Sequence, residues 1–224
     1  MNASHIEIDV WSDVACPWCY IGKRNLETSL AVFRERDDVP EVEVEVEYRS
    51  FELSPDTPVE FEGTHSEFLM SHRGVTADQA RQMLDRVTGI AADVGLAFDY
   101  DSLRHTNTVL AHQLLHYSKG KALQIEMKER LLSAYFVEGR HIGRIGDLAD
   151  LGAEVGLDRD DVIRSLESEE YLAVVRADQR QAAEYGINGV PFFVFAEKYG
   201  VSGAQPPEVF LRALDQVATE LTAP

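Results

Sequence analysis

The chain's only two cysteines, Cys16 and Cys19, stand three positions apart and enclose Pro17 and Trp18. Their surroundings restrict what the chain can fold into. Residues 6–10, IEIDV, alternate apolar and polar side chains as a strand does. Over residues 20–34 the pattern turns helical, with Cys19, Leu26, Leu30 and Phe33 on one face. Pro17 suits the first helical position, where its missing N–H costs nothing. Cys16 then falls at or beside the N-cap. A strand that passes through a cysteine pair into a helix opens an α/β unit.

Three chemistries compete for such a pair. A structural zinc ion wants four ligands, and no third cysteine exists to join these two. Inert core thiols have no reason to sit together between a strand and a helix. A redox pair does have one. Backbone N–H groups and the dipole at a helix start stabilise a thiolate, and the pKa of a cysteine there typically falls to roughly 3.5–7.5. Two intervening residues let the second sulfur reach back within one turn and close a reducible disulfide.

The rest of the chain supplies the frame. Residues 41–53 alternate strictly: Val42, Val44, Val46 and Tyr48 share one face, Glu41, Glu43, Glu45 and Glu47 the other. This is a strand whose acidic side suits an exposed or edge position, and the parity change at Phe51 and Leu53 marks its end. Pro55 and Pro58 open a loop. Helices follow: Thr64 with Glu67 and Thr76 with Gln79 form capping boxes, Asn107 caps a helix that Gly120 ends, and another covers residues 121–137. Asp147 and Asp158 read as N-caps of short helices, and a longer helix spans residues 171–185. Strands return at residues 188–195 and 199–204, and a last helix after Pro206 and Pro207 carries Val209, Phe210, Leu214 and Val217. The order implies an α/β sheet interrupted by a helical insertion. Residues 1–60 and 146–224 would form the sheet domain and 61–145 the insertion.

The formal net charge of −18 argues against nucleic acid and against anionic membranes, because no dense run of Lys or Arg offsets it. No segment reaches about 18 uninterrupted apolar residues, so no transmembrane helix is expected. The opening residues, MNASHIEIDVW, carry neither a basic n-region nor an apolar h-region. A cytoplasmic location is the expectation, and there a CxxC is catalytic or metal-binding more often than a standing disulfide.

Cys16-Pro-Trp-Cys19 followed by Tyr20-Ile-Gly-Lys23, together with Gly189-Val-Pro191-Phe-Phe-Val-Phe195 and Val201-Ser-Gly-Ala204, resembles the DsbA-like thioredoxin-fold proteins, in their FrnE-like subgroup. Asn107, Ala111 and His112 are similar to that subgroup's insertion. The resemblance implies a thioredoxin-like fold with a helical domain inserted between an N-terminal βαβ and a C-terminal ββα. It implies disulfide exchange with protein or peptide thiols, with no cofactor and no metal, and glutathione or a thioredoxin-type reductant as recycling partner. Cys16 would be the exposed nucleophile and Cys19 the resolving thiol, tuned by Pro17 and Trp18. Val190 would pair with an extended substrate before a cis Pro191. Where many such proteins place a buried carboxylate, six residues before the first cysteine, this chain has Val10; Asp13 is the nearest substitute, although its side chain is expected to point elsewhere. The protein would be a monomer or a homodimer.

Two other functions fit the same frame. A glutathione-dependent isomerase or transferase would not need Cys19. A chaperone-like module would hold unfolded peptide beside Trp18, Val190 and Phe192 without chemistry. His105, His112 and His116 share helical spacing. A partly exposed helix face is the expected reading for them, with His112 as an auxiliary to the Cys16 thiolate.

Overall fold

The computed structural model describes residues 4–36 and 42–222; Glu41, read above as part of a strand, lies outside them. β1 (Ser4–Ser12) leads through Cys16 into α1 (Pro17–Arg34), and β2 (Val42–Ser50) completes a βαβ unit. Six helices follow: α2 (His65–Arg73), α3 (Ala77–Asp93), α4 (Val109–Lys119), α5 (Gln124–Phe136), α6 (Ile145–Glu154) and α7 (Arg159–Glu167). Then α8 (Leu172–Glu184), β3 (Phe192–Phe195), β4 (Tyr199–Ser202) and α9 (Pro207–Thr222) close the chain. The sheet order is β2-β1-β3-β4, with β1 parallel to β2 and antiparallel to β3.

Alternation in β1 decides the layers. Ile6, Ile8 and Val10 face α1 and α9, where they meet Leu26, Leu30, Phe33, Phe210 and Leu214. Trp11, of opposite parity, joins Ala182 of α8, Ile187 and Val194 on the other face. Its indole N–H donates to the Asp178 carbonyl at 3.0 Å, so the buried ring leaves no polar atom unpaired. Each buried side chain of this size contributes about 1.5–3 kcal/mol relative to exposure.

β2 is an edge strand, as its acidic face suggested, but its backbone edge is not open. The Gln124 side chain of α5 accepts from Tyr48 N–H at 2.9 Å and donates to the Tyr48 carbonyl at 3.0 Å. Ser50 N–H donates to buried Asp178 at 2.7 Å. Side chains from two helices thus satisfy a strand edge that would otherwise pair with a second chain.

Both capping boxes form as read, at Thr64 and Thr76, and Asp158 caps α7. Two caps differ from the sequence reading. α4 starts after Thr108, with Asn107 accepting from Val109 N–H one position outside. α6 starts after Arg144, which leaves Asp147 in its first turn rather than at its cap. The helical core gathers Leu114, Leu131, Tyr135, Leu148, Val162 and Leu166. It runs through α7, past residue 145, where the sequence reading closed the insertion.

One glycine positions the redox segment. A Cβ on Gly22 would lie 3.0 Å from Pro191 Cγ and 3.2 Å from Phe193 Cζ, so its absence lets α1 sit against the Val190–Pro191 turn. Gly22→Ala is expected to cost about 1–3 kcal/mol through overpacking. Denaturant unfolding of the variant checks this; an unchanged midpoint would remove the close approach from the account.

Candidate functional site

Cys16 is the N-cap of α1, with Pro17 next to it at the helix start. The Cys19 N–H donates to the Cys16 carbonyl at 3.0 Å, closing the turn that brings the two cysteines within 3.3 Å. Both thiols are free. The Val190–Pro191 peptide bond is cis. It presents the Val190 carbonyl to the Cys16 thiol at 3.5 Å, across 174 residues of sequence. Gly203 N–H holds this turn by donating to the Pro191 carbonyl at 2.8 Å.

Cys16 is not exposed as the resemblance implied. It is 2% accessible, as is Cys19, whereas Trp18 is 38% accessible. A cleft of about 660 Å³ reaches Cys16 but does not touch Cys19. Trp18, Gly189 and Val190 form one side of the cleft. α2, α3 and residues 100–108 form the other, through His65, Phe68, Tyr100 and His105. Phe192 does not line the cleft, and Phe193 is core.

Val10 holds the position six residues before Cys16 and packs in the core, whereas Asp13, expected to point elsewhere, turns its carboxylate inward. Fully buried, it accepts from Leu53 N–H at 2.8 Å and lies 3.2 Å from His112 Nε2. Burial pushes its carboxyl up, but the His112 hydrogen bond and charge, the Leu53 amide and Lys128 together outweigh burial and leave it below the usual range. His112 thus bears directly on Asp13. Neither His112 nor His116 lies on an exposed helix face: both are buried, and His116 Nε2 lies 2.9 Å from Asp178. His105 precedes α4 and pairs with Tyr135, so the three histidines do not share a helix. Among the described residues no three His, Cys, Asp or Glu side chains gather as a metal site.

The two thiols titrate together, because charge on one sulfur opposes charge on the other. Cys16 is held well above its ordinary value, first by hydrogen bonding to the Cys19 sulfur, then by burial and the nearby charges of Cys19 and Asp13. Cys19 is lowered. Burial alone would raise it, but the Cys16 thiol, the Lys128 charge and the otherwise unpartnered Ser12 hydroxyl outweigh burial. A helix start stabilises a thiolate in general, and here the Lys128 charge and the Ser12 hydroxyl add to that support at Cys19. Lys128 is the residue the sequence reading missed. A signal for it existed, since Lys128 shares helical spacing with Leu131, Leu132 and Tyr135, all buried.

The fold and the paired thiols define a thioredoxin-type protein with a helical insertion. The chain belongs to the family of the DSBA-like thioredoxin domain, whose profile matches residues 7–215. Among solved structures it is similar to a probable DsbA oxidoreductase from Streptomyces coelicolor, at 38% identity and a TM-score of 0.88, covering 98% of this chain and 92% of that one. It is 29% identical to the uncharacterized protein YwbO of Bacillus subtilis over 93% of this chain and 96% of the relative. In fold alone it is similar to the cytosolic disulfide reductase DsbM from Pseudomonas aeruginosa with GSH, at 18% identity and a TM-score of 0.63, covering 94% of this chain and 98% of that one. DsbA-like oxidoreductases act on thiols and disulfides, and the family points to oxidoreductase or isomerase activity.

The histidines of the cleft wall make stability depend on pH. Burial pushes His65 down to about 4, and burial with the nearby His65 pushes His105 down to about 3. The unfolded chain binds these protons near the ordinary value of 6.5. Between that value and about 4 the unfolded state holds more protons, so stability falls as pH is lowered. Thermal unfolding from pH 7 to pH 4 should show this. His65→Phe should remove roughly 3 kcal/mol of the acid-induced loss at pH 4. An equal slope in that variant would exclude His65 as a contributor.

Proposed function

We propose that the protein is a dithiol–disulfide oxidoreductase working through Cys16 and Cys19. The observation that carries the reading is the pair of free thiols 3.3 Å apart at a helix start, with only Cys16 opening into the cleft. The Cys16 proton passes to the Cys19 sulfur, and the Cys16 thiolate attacks a substrate disulfide. A Cys16–substrate disulfide forms, and the first substrate thiolate leaves. Cys19 gives its proton to the departed substrate thiolate and attacks the Cys16 sulfur. The second substrate thiolate leaves, and two electrons have moved from the protein dithiol to the substrate. Run backwards, the steps oxidise a substrate dithiol.

Val190, before the cis proline, offers its backbone to an extended peptide beside Cys16, and Pro17 and Trp18 tune the pair. Protein or peptide disulfides are the substrates, with glutathione or a thioredoxin-type reductant recycling the pair. The cytosolic DsbM protein, whose structure contains GSH, supports that choice of partner and a cytosolic, reductive role.

Equilibration with a glutathione redox buffer tests the reading. Wild type should form a Cys16–Cys19 disulfide. Cys16→Ser should lose disulfide exchange altogether, and Cys19→Ser should accumulate mixed disulfide on Cys16. Turnover of a small substrate that survives Cys19→Ser would favour the isomerase chemistry. Peptide holding that survives loss of both cysteines would favour a chaperone-like module.

A further inference from the structure

Lys128 is wholly buried, and its ammonium has no hydrogen-bond partner among the described residues. It lies over the Tyr48 ring, 5.2 Å from the centroid. A cation–π contact offsets only part of the cost of burying a charge. The other charged groups that act on it are Cys19, Asp13 and Cys16, which favour its charged form, and Lys23, which opposes it. Asp13 is already engaged by Leu53 N–H and His112. Lys23 is neutralised by Glu27 and Glu129. Asp13 acts on Lys128 in both redox states, so the sulfurs are the part of its counter-charge that exists only when the pair is reduced.

The position of the ammonium is fixed from both ends of its helix turn. Glu129, the next residue, accepts from Tyr20 at 2.6 Å and also from Lys23 and Arg24, all on α1. Gln124, one turn earlier, is locked onto the β2 backbone. α5 is thus tied to the helix that bears the cysteines, and Lys128 has little freedom to swing towards solvent.

We propose that Lys128 is a positioning residue of the redox pair: its buried ammonium holds the negative charge of the dithiol form on the Cys16–Cys19 sulfurs and so sets the balance between dithiol and disulfide. The inference rests on the thiol–disulfide reading and deepens it. Burial pushes Lys128 down to about 8, so at neutral pH it is mainly charged and its charge responds to what stands beside it. Coupling between two sites is reciprocal. If Lys128 stabilises the thiolate, the thiolate must stabilise the charged lysine by the same amount. Oxidation to the disulfide then removes that support.

A lysine that is merely trapped in the core behaves differently. Replacing it by an apolar residue of similar volume would then stabilise both redox forms alike.

The first experiment uses wild-type protein, independent of any variant's folding. The chain has five lysines, so isotope-labelled lysine gives a resolvable set of side-chain NMR signals. Each is titrated in the oxidised and in the reduced protein. Lys128 should titrate about one pH unit or more higher in the reduced form, the lower end of the shifts a close opposite charge produces. Equal midpoints overturn the proposal.

The second experiment uses Lys128→Met and Lys128→Arg. In Lys128→Met the thiolate absorbance should titrate at higher pH. The equilibrium with glutathione should move about tenfold or more towards the disulfide, which is about 30 mV towards the reducing side. Lys128→Arg should restore most of both. A folded Lys128→Met with unchanged titration and equilibrium overturns the proposal. The two readings fail separately: a wild type that forms no Cys16–Cys19 disulfide overturns both, whereas a disulfide with an unmoved lysine overturns only the role of Lys128.

Discussion

The interior beside the cysteines carries ionisable groups that water does not reach, and the architecture depends on keeping them tolerable. Asp13 and Lys128 are both fully buried. An isolated charge in such a place costs several kcal/mol. The chain meets that cost by converging segments. The β1–α1 junction brings Asp13, the loop after β2 brings the Leu53 amide, α4 brings His112 and α5 brings Lys128. Removing Asp13 leaves the Leu53 amide and the buried His112 Nε2 without their partner. The helical insertion therefore completes the electrostatics beneath the sulfurs, and also roofs the cleft above them.

This division of labour explains why the site looks closed. Only one face of Cys16 meets the cleft, and Cys19 is sealed behind it. Sealing strengthens every electrostatic interaction with the Cys19 sulfur, because the local dielectric is low. The cleft wall opposite is different in kind. His65 and His105 are held neutral there, and each keeps one ring nitrogen unpartnered.

Much of this frame was legible in the sequence. The valine–glutamate alternation gave β2 and its edge position, and the two threonine capping boxes gave the starts of α2 and α3. Pro17 gave the start of α1 and placed Cys16 at the cap. These features rest on contacts within four residues. The histidines show the limit. Helical spacing put His112 and His116 on one face, correctly, but spacing does not say what that face meets. In the fold it meets Asp13, 99 residues away, and Asp178, 62 residues away.

What the sequence determined by itself, then, is local: a strand, a cysteine pair at a helix cap, an alternating edge strand and a run of capped helices. Each follows from backbone sterics and from the period of apolar side chains. Only the tertiary structure brought the Lys128 charge and the Ser12 hydroxyl to bear on Cys19. It alone put Val190 against Cys16 and closed Cys16 into a cleft. The reason is physical. Charge and access depend on distance through space and on the exclusion of water, and the chain fixes both only when segments a hundred residues apart are packed together.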